Sequence, residues 1–221
     1  MKKIIIATVA LALSATLSAQ MDNEKFTRAM EKNIILVDSA RTPQEWIDVT
    51  AAFERIAEAE KTQWLPYYYA AYGHVMAGLM SLDMNNLFVN NTDKTDPKAD
   101  AAQKALDKAI SLSKETSETW VIKKMISSLR MLGDVMNRYQ TDLPMANAAL
   151  ETAKKMDPSN PRVYLLEAQD KFNTPAEYGG SKDEAKKLFE KAKELFGTVK
   201  PESSIHPHWG MGTVMYYLSQ F

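Results

Sequence analysis

The sequence predicts an all-α protein built from antiparallel helix pairs stacked in chain order, and three observations predict it. First, four stretches repeat one spacing: Val49, Phe53, Ile56; Ala102, Leu106, Ala109; Ala146, Leu150, Ala153; and Ala185, Phe189, Ala192. On a helix each set stacks on one face, so every stretch offers a neighbour a similar apolar ridge. Second, the first three ridges are each followed by another helical stripe. These are Tyr69, Tyr72, Gly73, Met76; Ile122, Met125, Ile126, Leu129; and Leu165, Ala168, Gln169, Phe172. Ridge to stripe measures 20, 20 and 19 residues, whereas stripe to following ridge falls from 33 to 24 to 20. The insertions therefore fall inside the helix pairs, and the joint between pairs is kept, as in a stacked repeat. Third, glycine is scarce, with 8 in 221 residues, and the turns are short.

Helix starts place the elements in order. Residues 22–39 read as a first helix. Thr42-Pro43-Gln44-Glu45 is a capping box, with Pro where no amide bond is needed, and opens a helix over 43–60. The aromatic run Trp64 to Tyr72 begins a third over 64–89. The Asn, Asp and Thr residues of 85–98 favour a loop, and Asp96-Pro97 then reads as a cap for 97–113. Further helices are expected over 118–140, 144–157 and 161–173, the last behind Asn160-Pro161. Thr174-Pro175-Ala176-Glu177 and Ser181-Lys182-Asp183-Glu184 repeat the box, opening a short turn and a helix over 182–196. The segment 198–208 delays a final helix over 207–219, whose Trp, Met and Tyr suit it to lie over the last pair and close the core.

At this point the chain resembles the tetratricopeptide-repeat family. Ala185, Phe189 and Ala192 fit its second-helix pattern A-x3-F-x2-A, and Ala146, Leu150, Ala153 and Pro158 fit it with Leu for Phe. Tyr69, Tyr72 and Gly73 are what remains of the first-helix pattern. The resemblance covers roughly residues 43 to 196 and marks a diverged member, because the inner units exceed the family period of about 34 residues. It implies a right-handed solenoid with a C-terminal capping helix, whose first helices line a concave face. The segment from Asn160 to Gly210 also looks like exported bacterial proteins of this type, a likeness that brings no activity with it.

Lys2 and Lys3, the apolar run Ile4 to Leu17, and Leu17-Ser18-Ala19 read as a signal peptide over 1–19. The mature chain, 20–221, is then one exported domain, periplasmic or secreted, with no later stretch approaching the roughly 20 apolar residues of a spanning helix. Cysteine is absent, which excludes disulfides, thiolate nucleophiles and Cys-ligated metals. A net charge of −1 without a clustered basic face gives no sign of nucleic-acid binding.

No nucleophile elbow, phosphate-cradling glycine loop or HExxH is present, so the expected function is non-catalytic, without cofactor. His206-Pro207-His208 supplies two imidazoles where zinc takes three or four protein ligands. His206 therefore reads as a cap for the last helix, with Pro207 at its first position. If the family geometry holds, Tyr67, His74, Lys123, Ser127, Arg130 and Asp170 point into the concave face. That polar, mixed-charge surface suits a protein or peptide partner. The alternative is capture of a glycan or small ligand by the Trp64–Tyr72 aromatic helix. Tyr67 or Tyr68 would then reach a groove, because three consecutive tyrosines fan around a helix and cannot all face one core.

Overall fold

A computed structural model describes residues 23–83 and 86–221. The expected signal peptide lies outside the described residues. Among them every regular element is helical: α1 (23–39), α2 (Pro43–Ala59), α3 (Trp64–Met80), α4 (Thr92–Leu112), α5 (Ser117–Gly133), α6 (Val135–Arg138), α7 (Asp142–Met156), α8 (Pro161–Asn173), a 3-10 turn (Ala176–Tyr178), α9 (Lys182–Thr198) and α10 (Met211–Leu218). From α2 onward consecutive long helices pack on one another, and α3 also touches α5. The ridges sit at these joints: Phe53, Leu106, Leu150 and Phe189 are all buried, with Ala102, Ala109, Ala146, Ala153, Ala185 and Ala192 beside them. Small residues on either side of one large residue let neighbouring helices approach while the large side chain fills the space between.

Two glycines mark the closest joints. A Cβ on Gly73 of α3 would stand 2.2 Å from Thr50 Oγ1 of α2, and one on Gly133 would stand 2.1 Å from Thr95 Oγ1 of α4. Both positions are within or at the end of a first helix, and both need the absence of a side chain.

The cap at Thr42 forms in full, its hydroxyl accepting from the Glu45 amide while Glu45 accepts from the Thr42 amide. Asn160 accepts from the Arg162 amide and Ser181 from the Glu184 amide. Other expected boundaries need correction. α3 stops at Met80, and α4 begins at Thr92, so Asp96-Pro97 is inside the helix and not its start. The extra turn is held from outside the helix. The Asn91 amide donates to Gly133 O at 2.6 Å, and Arg138 grips Asp96 through both guanidinium nitrogens at 2.6 and 2.9 Å. These ties offset the interior bond that Pro97 cannot make. The expected helix over 118–140 breaks at Asp134, whose carboxylate accepts from the Asn137 side chain and starts α6. Thr174 does not cap the turn after it, since its N-cap is Pro175, which has no side chain to offer.

These bonds also orient the stack. The loop 86–91 is tied to the α5–α6 turn through Asn90–Asp134 and Asn91–Gly133. α5 and α8 run the same way, joined at their starts by Asn160–Ser117 and Arg162–Glu118 and farther along by Lys124–Asp170. The inserted turns after α3, α5 and α8 therefore share one edge.

Candidate functional site

Every tyrosine from Tyr67 to Tyr69 is at least half-buried, and of the two expected to reach a groove Tyr67 is half-buried and Tyr68 is 0% exposed. The resolution is that α3 is enclosed on all sides, as a helix apolar around its whole circumference must be. On the α2 side Phe53 stacks on Tyr69 at 4.8 Å, and Trp46 meets Tyr72 edge-on at 5.4 Å. On the other side lies a segment remote in sequence. Residues 205–210 cross the starts of α3 and α8 as a strap. Trp209 stacks on Tyr72 with ring centroids 4.2 Å apart and donates its indole N–H to the Tyr68 hydroxyl at 3.0 Å. The Tyr69 hydroxyl donates to His206 O at 3.2 Å.

His206 is thus no helix cap. Its ring packs against Trp64 and bonds Ser203 and Glu202, and the last helix starts at Met211 behind the left-handed Gly210. α10 does cover the last pair, as expected, with Tyr217 stacked on Phe189 at 4.8 Å.

Beneath the strap runs a buried polar chain. The Tyr68 hydroxyl donates to Glu118 Oε2 at 2.8 Å. Glu118 Oε1 accepts from Arg162 Nη1 at 3.0 Å and Asn160 Nδ2 at 2.8 Å. Ser117 accepts from Asn160 and donates to Ala153 O. The Arg162 guanidinium, almost wholly buried, lies 5.0 Å from the Trp209 ring and 5.5 Å from the Phe196 ring. Burial pushes the Tyr68, Tyr69 and Tyr72 phenols well above the ordinary tyrosine range. A raised value means the folded chain holds these protons more tightly than the unfolded one. The stability this gives is complete below about pH 10 and is lost as the pH rises above it. An absorbance titration should therefore leave three of the nine tyrosines un-ionised until the helices melt. Simultaneous ionisation of all nine near pH 10 with the helices intact would contradict this burial.

The residues expected on the concave face hold partners within the chain. The Tyr67 hydroxyl donates to Ala57 O at 3.0 Å, and His74 Nε2 meets Glu54 at 2.9 Å. Lys123 pairs with Glu115 and lies over the Trp120 ring at 3.8 Å. Arg130 pairs with Asp100 at 2.6 Å, and Asp170 with the buried Lys124 at 2.8 Å. Ser127 is half-buried. Most of these bonds join one helix to its neighbour: Tyr67 and His74 to α2, Arg130 to α4 and Asp170 to α5. Among the described residues no three of His, Asp or Glu stand together as a metal site, and no helix is long and apolar enough to cross a membrane.

Two surfaces remain. A hollow of about 630 Å³ between α9 and α10 is wide open and lined by Lys186, Glu190, Lys193, Glu194, Gly197, Thr198 and Leu218. Four of its seven lining residues are charged, and their apolar stems form much of its wall. The edge of inserted turns is the opposite: Met80, Phe88, Val89, Met136, Tyr139 and Tyr178 all stand exposed along it. Their signal in the sequence was the variable stripe-to-ridge spacing, which locates the edge without revealing its apolar character.

No family profile matches the chain, and no curated protein matches it. Among solved structures the chain is similar to the HusA haemophore from Porphyromonas gingivalis. The identity is 30% and the TM-score 0.73, over 88% of this chain and 92% of that one.

Proposed function

The chain belongs to the family of the HusA haemophore, and from that premise we propose that it is an exported protein that binds haem as a cargo without transforming it. The observation that carries this reading is the 30% identity over nearly the whole of both chains. We read the architecture as a right-handed, tetratricopeptide-like solenoid; the chain-order packing and the shared direction of α5 and α8 support it. A small-ligand role also fits the molecule better than peptide capture on the concave face. Among the polar residues proposed for a peptide, Arg130 and Asp170 already hold neighbouring helices. Tyr, Met and His, side chains able to ligate haem iron, are all present, and a cysteine thiolate is excluded.

Titration of the mature chain with haemin tests this. A saturable shift of the Soret band with quenching of the tryptophans is expected, at one haem per chain. Haemin spectra unchanged by stoichiometric protein would overturn it. A protein or peptide partner on the concave face is the competing reading, and it predicts that reversing the Lys123 and Arg130 charges abolishes capture of that partner while haem has no effect.

A further inference from the structure

We propose that the edge formed by α6 and the 86–91 loop is a docking surface for a protein segment with an apolar face flanked by lysine or arginine. The surface is distinguished by what it exposes. Phe88 is 75% exposed, Met136 63%, Val89 50% and Tyr139 48%. Met136 and Tyr139 are three residues apart across α6 and its C-cap, so both project on one side. Large apolar side chains gathered in water mark an interaction site when an ordered frame holds them there. The frame consists of bonds between elements far apart in sequence. Asn90 Nδ2 donates to Asp134 Oδ2 at 3.1 Å, and the Asn91 amide donates to Gly133 O at 2.6 Å. Arg138 in α6 is clamped to Asp96 of α4. Phe88 and Val89 are thereby set beside α6.

The charges around these side chains decide which occupant the surface takes. Residues 86–96 and 134–142 carry Asp93, Asp96, Asp134 and Asp142 against Lys94 and Arg138 alone. Arg138 answers three of the four carboxylates: it is bonded to Asp96, while Asp134 and Asp142 face the same guanidinium. The bonds that Asp134 accepts come from the uncharged Asn90 and Asn137. Asp93 is exposed and, among the described residues, has no ion-pair partner. Arg130, the preceding cation on α5, is committed to Asp100. An apolar patch with such an acidic rim repels an anionic phospholipid surface and the propionates of haem. A two-fold contact with a second copy would set the rim against itself. The same rim attracts a basic segment, whose lysines or arginines reach the carboxylates while its apolar side chains pack on Phe88, Val89 and Met136.

Fluorescence anisotropy of the full mature chain tests this with two labelled helical peptides, both carrying leucine on one face and either lysine or glutamate on the other. The leucine–lysine peptide is expected to bind, more weakly as salt is raised, and the leucine–glutamate peptide is expected not to bind. Phe88→Ser/Met136→Ser and Asp93→Asn/Asp142→Asn should each weaken the leucine–lysine complex at least tenfold. Circular dichroism should be unchanged in both, since Phe88, Met136 and Asp93 are exposed and Asp142 is half-exposed. Met156→Ser, which alters an exposed apolar side chain at the far end of α7, should bind as the parent does. The proposal is overturned if the parent does not bind the leucine–lysine peptide, or if the edge variants bind it as the parent does. A dimer in sedimentation that Phe88→Ser/Met136→Ser dissociates would assign the edge to a second copy. Co-flotation of the parent with phosphatidylcholine vesicles, lost in the same variant, would assign it to a membrane. Either of these results overturns the basic partner.

Discussion

Trp209→Ala is expected to destabilise the protein by about 3–5 kcal/mol, the range for truncating a buried aromatic side chain. Trp209 is 5% exposed, so truncation opens a cavity bounded by Tyr72 and the Arg162 guanidinium. It also removes the indole N–H from the Tyr68 hydroxyl and the cation–π contact from Arg162. The same change loosens the strap, because Ile205 to Gly210 is joined to α3 through this ring, the Tyr69–His206 bond and the His206–Trp64 ring contact. Proteolysis within 199–208 should therefore accelerate in parallel with the loss of stability. Trp209→Phe separates the effects: it keeps an aromatic ring on Tyr72 and loses the hydrogen bond, which is worth about 0.5–1.5 kcal/mol. Chemical denaturation gives both numbers. A Trp209→Ala midpoint within experimental error of the parent would mean that the strap is not part of the cooperative core.

What the sequence disclosed and what it concealed differ by range. The ridges were legible because helical periodicity is local: Leu106, Leu150 and Phe189 could be placed in the core from residues three and four positions away. The caps at Thr42, Asn160 and Ser181 were legible for the same reason. The start of α4 was not. Nothing within four residues of Thr92 outweighs Pro97; the turn is held by Gly133 and Arg138, about forty positions on. The strap was hidden further still, since Trp209 reaches Tyr68 across a separation of 141 residues. The three tyrosines carried a real signal, that one core cannot take them all, but the sequence could not say that a second surface would come from the C-terminus. The edge of inserted turns was located by spacing alone. That Phe88, Met136 and Tyr139 stand outward along it emerges only once Asn90 and Asn91 are seen bonded to the α5–α6 turn.

This division separates the surfaces that are committed within the core from those that stand open. The aromatic residues of α3 are committed to α2 and the strap, and their phenols to bonds within the chain. Binding there would first require the strap to leave, at the energetic cost that Trp209→Ala measures. The edge requires no such rearrangement: its apolar side chains are already exposed on a framework fixed by backbone and carboxylate bonds.

Arg162→Met is expected to cost about 3–5 kcal/mol, the consequence of removing one partner from a buried ion pair. Arg162 and Glu118 are 5% and 19% exposed at their side chains, and they meet at 3.0 Å beneath the strap. With the guanidinium gone, Glu118 keeps Asn160 and Tyr68 as donors but no compensating charge. Asn160 still caps α8, because its Oδ1 accepts from a backbone amide that the substitution leaves in place. The loss therefore belongs to the uncompensated carboxylate and not to the helix start. Glu118→Gln in the same background tests that assignment, since a neutral amide needs no counter-charge: its oxygen can accept from Asn160 while its NH2 donates to the Tyr68 hydroxyl oxygen. The double variant should recover a large part of the loss, giving a coupling energy of about 0.5–3 kcal/mol in the cycle of single and double variants. Additive effects of the two substitutions would show instead that Arg162 acts through its packing against Trp209 and Phe196, with the ion pair contributing nothing of its own.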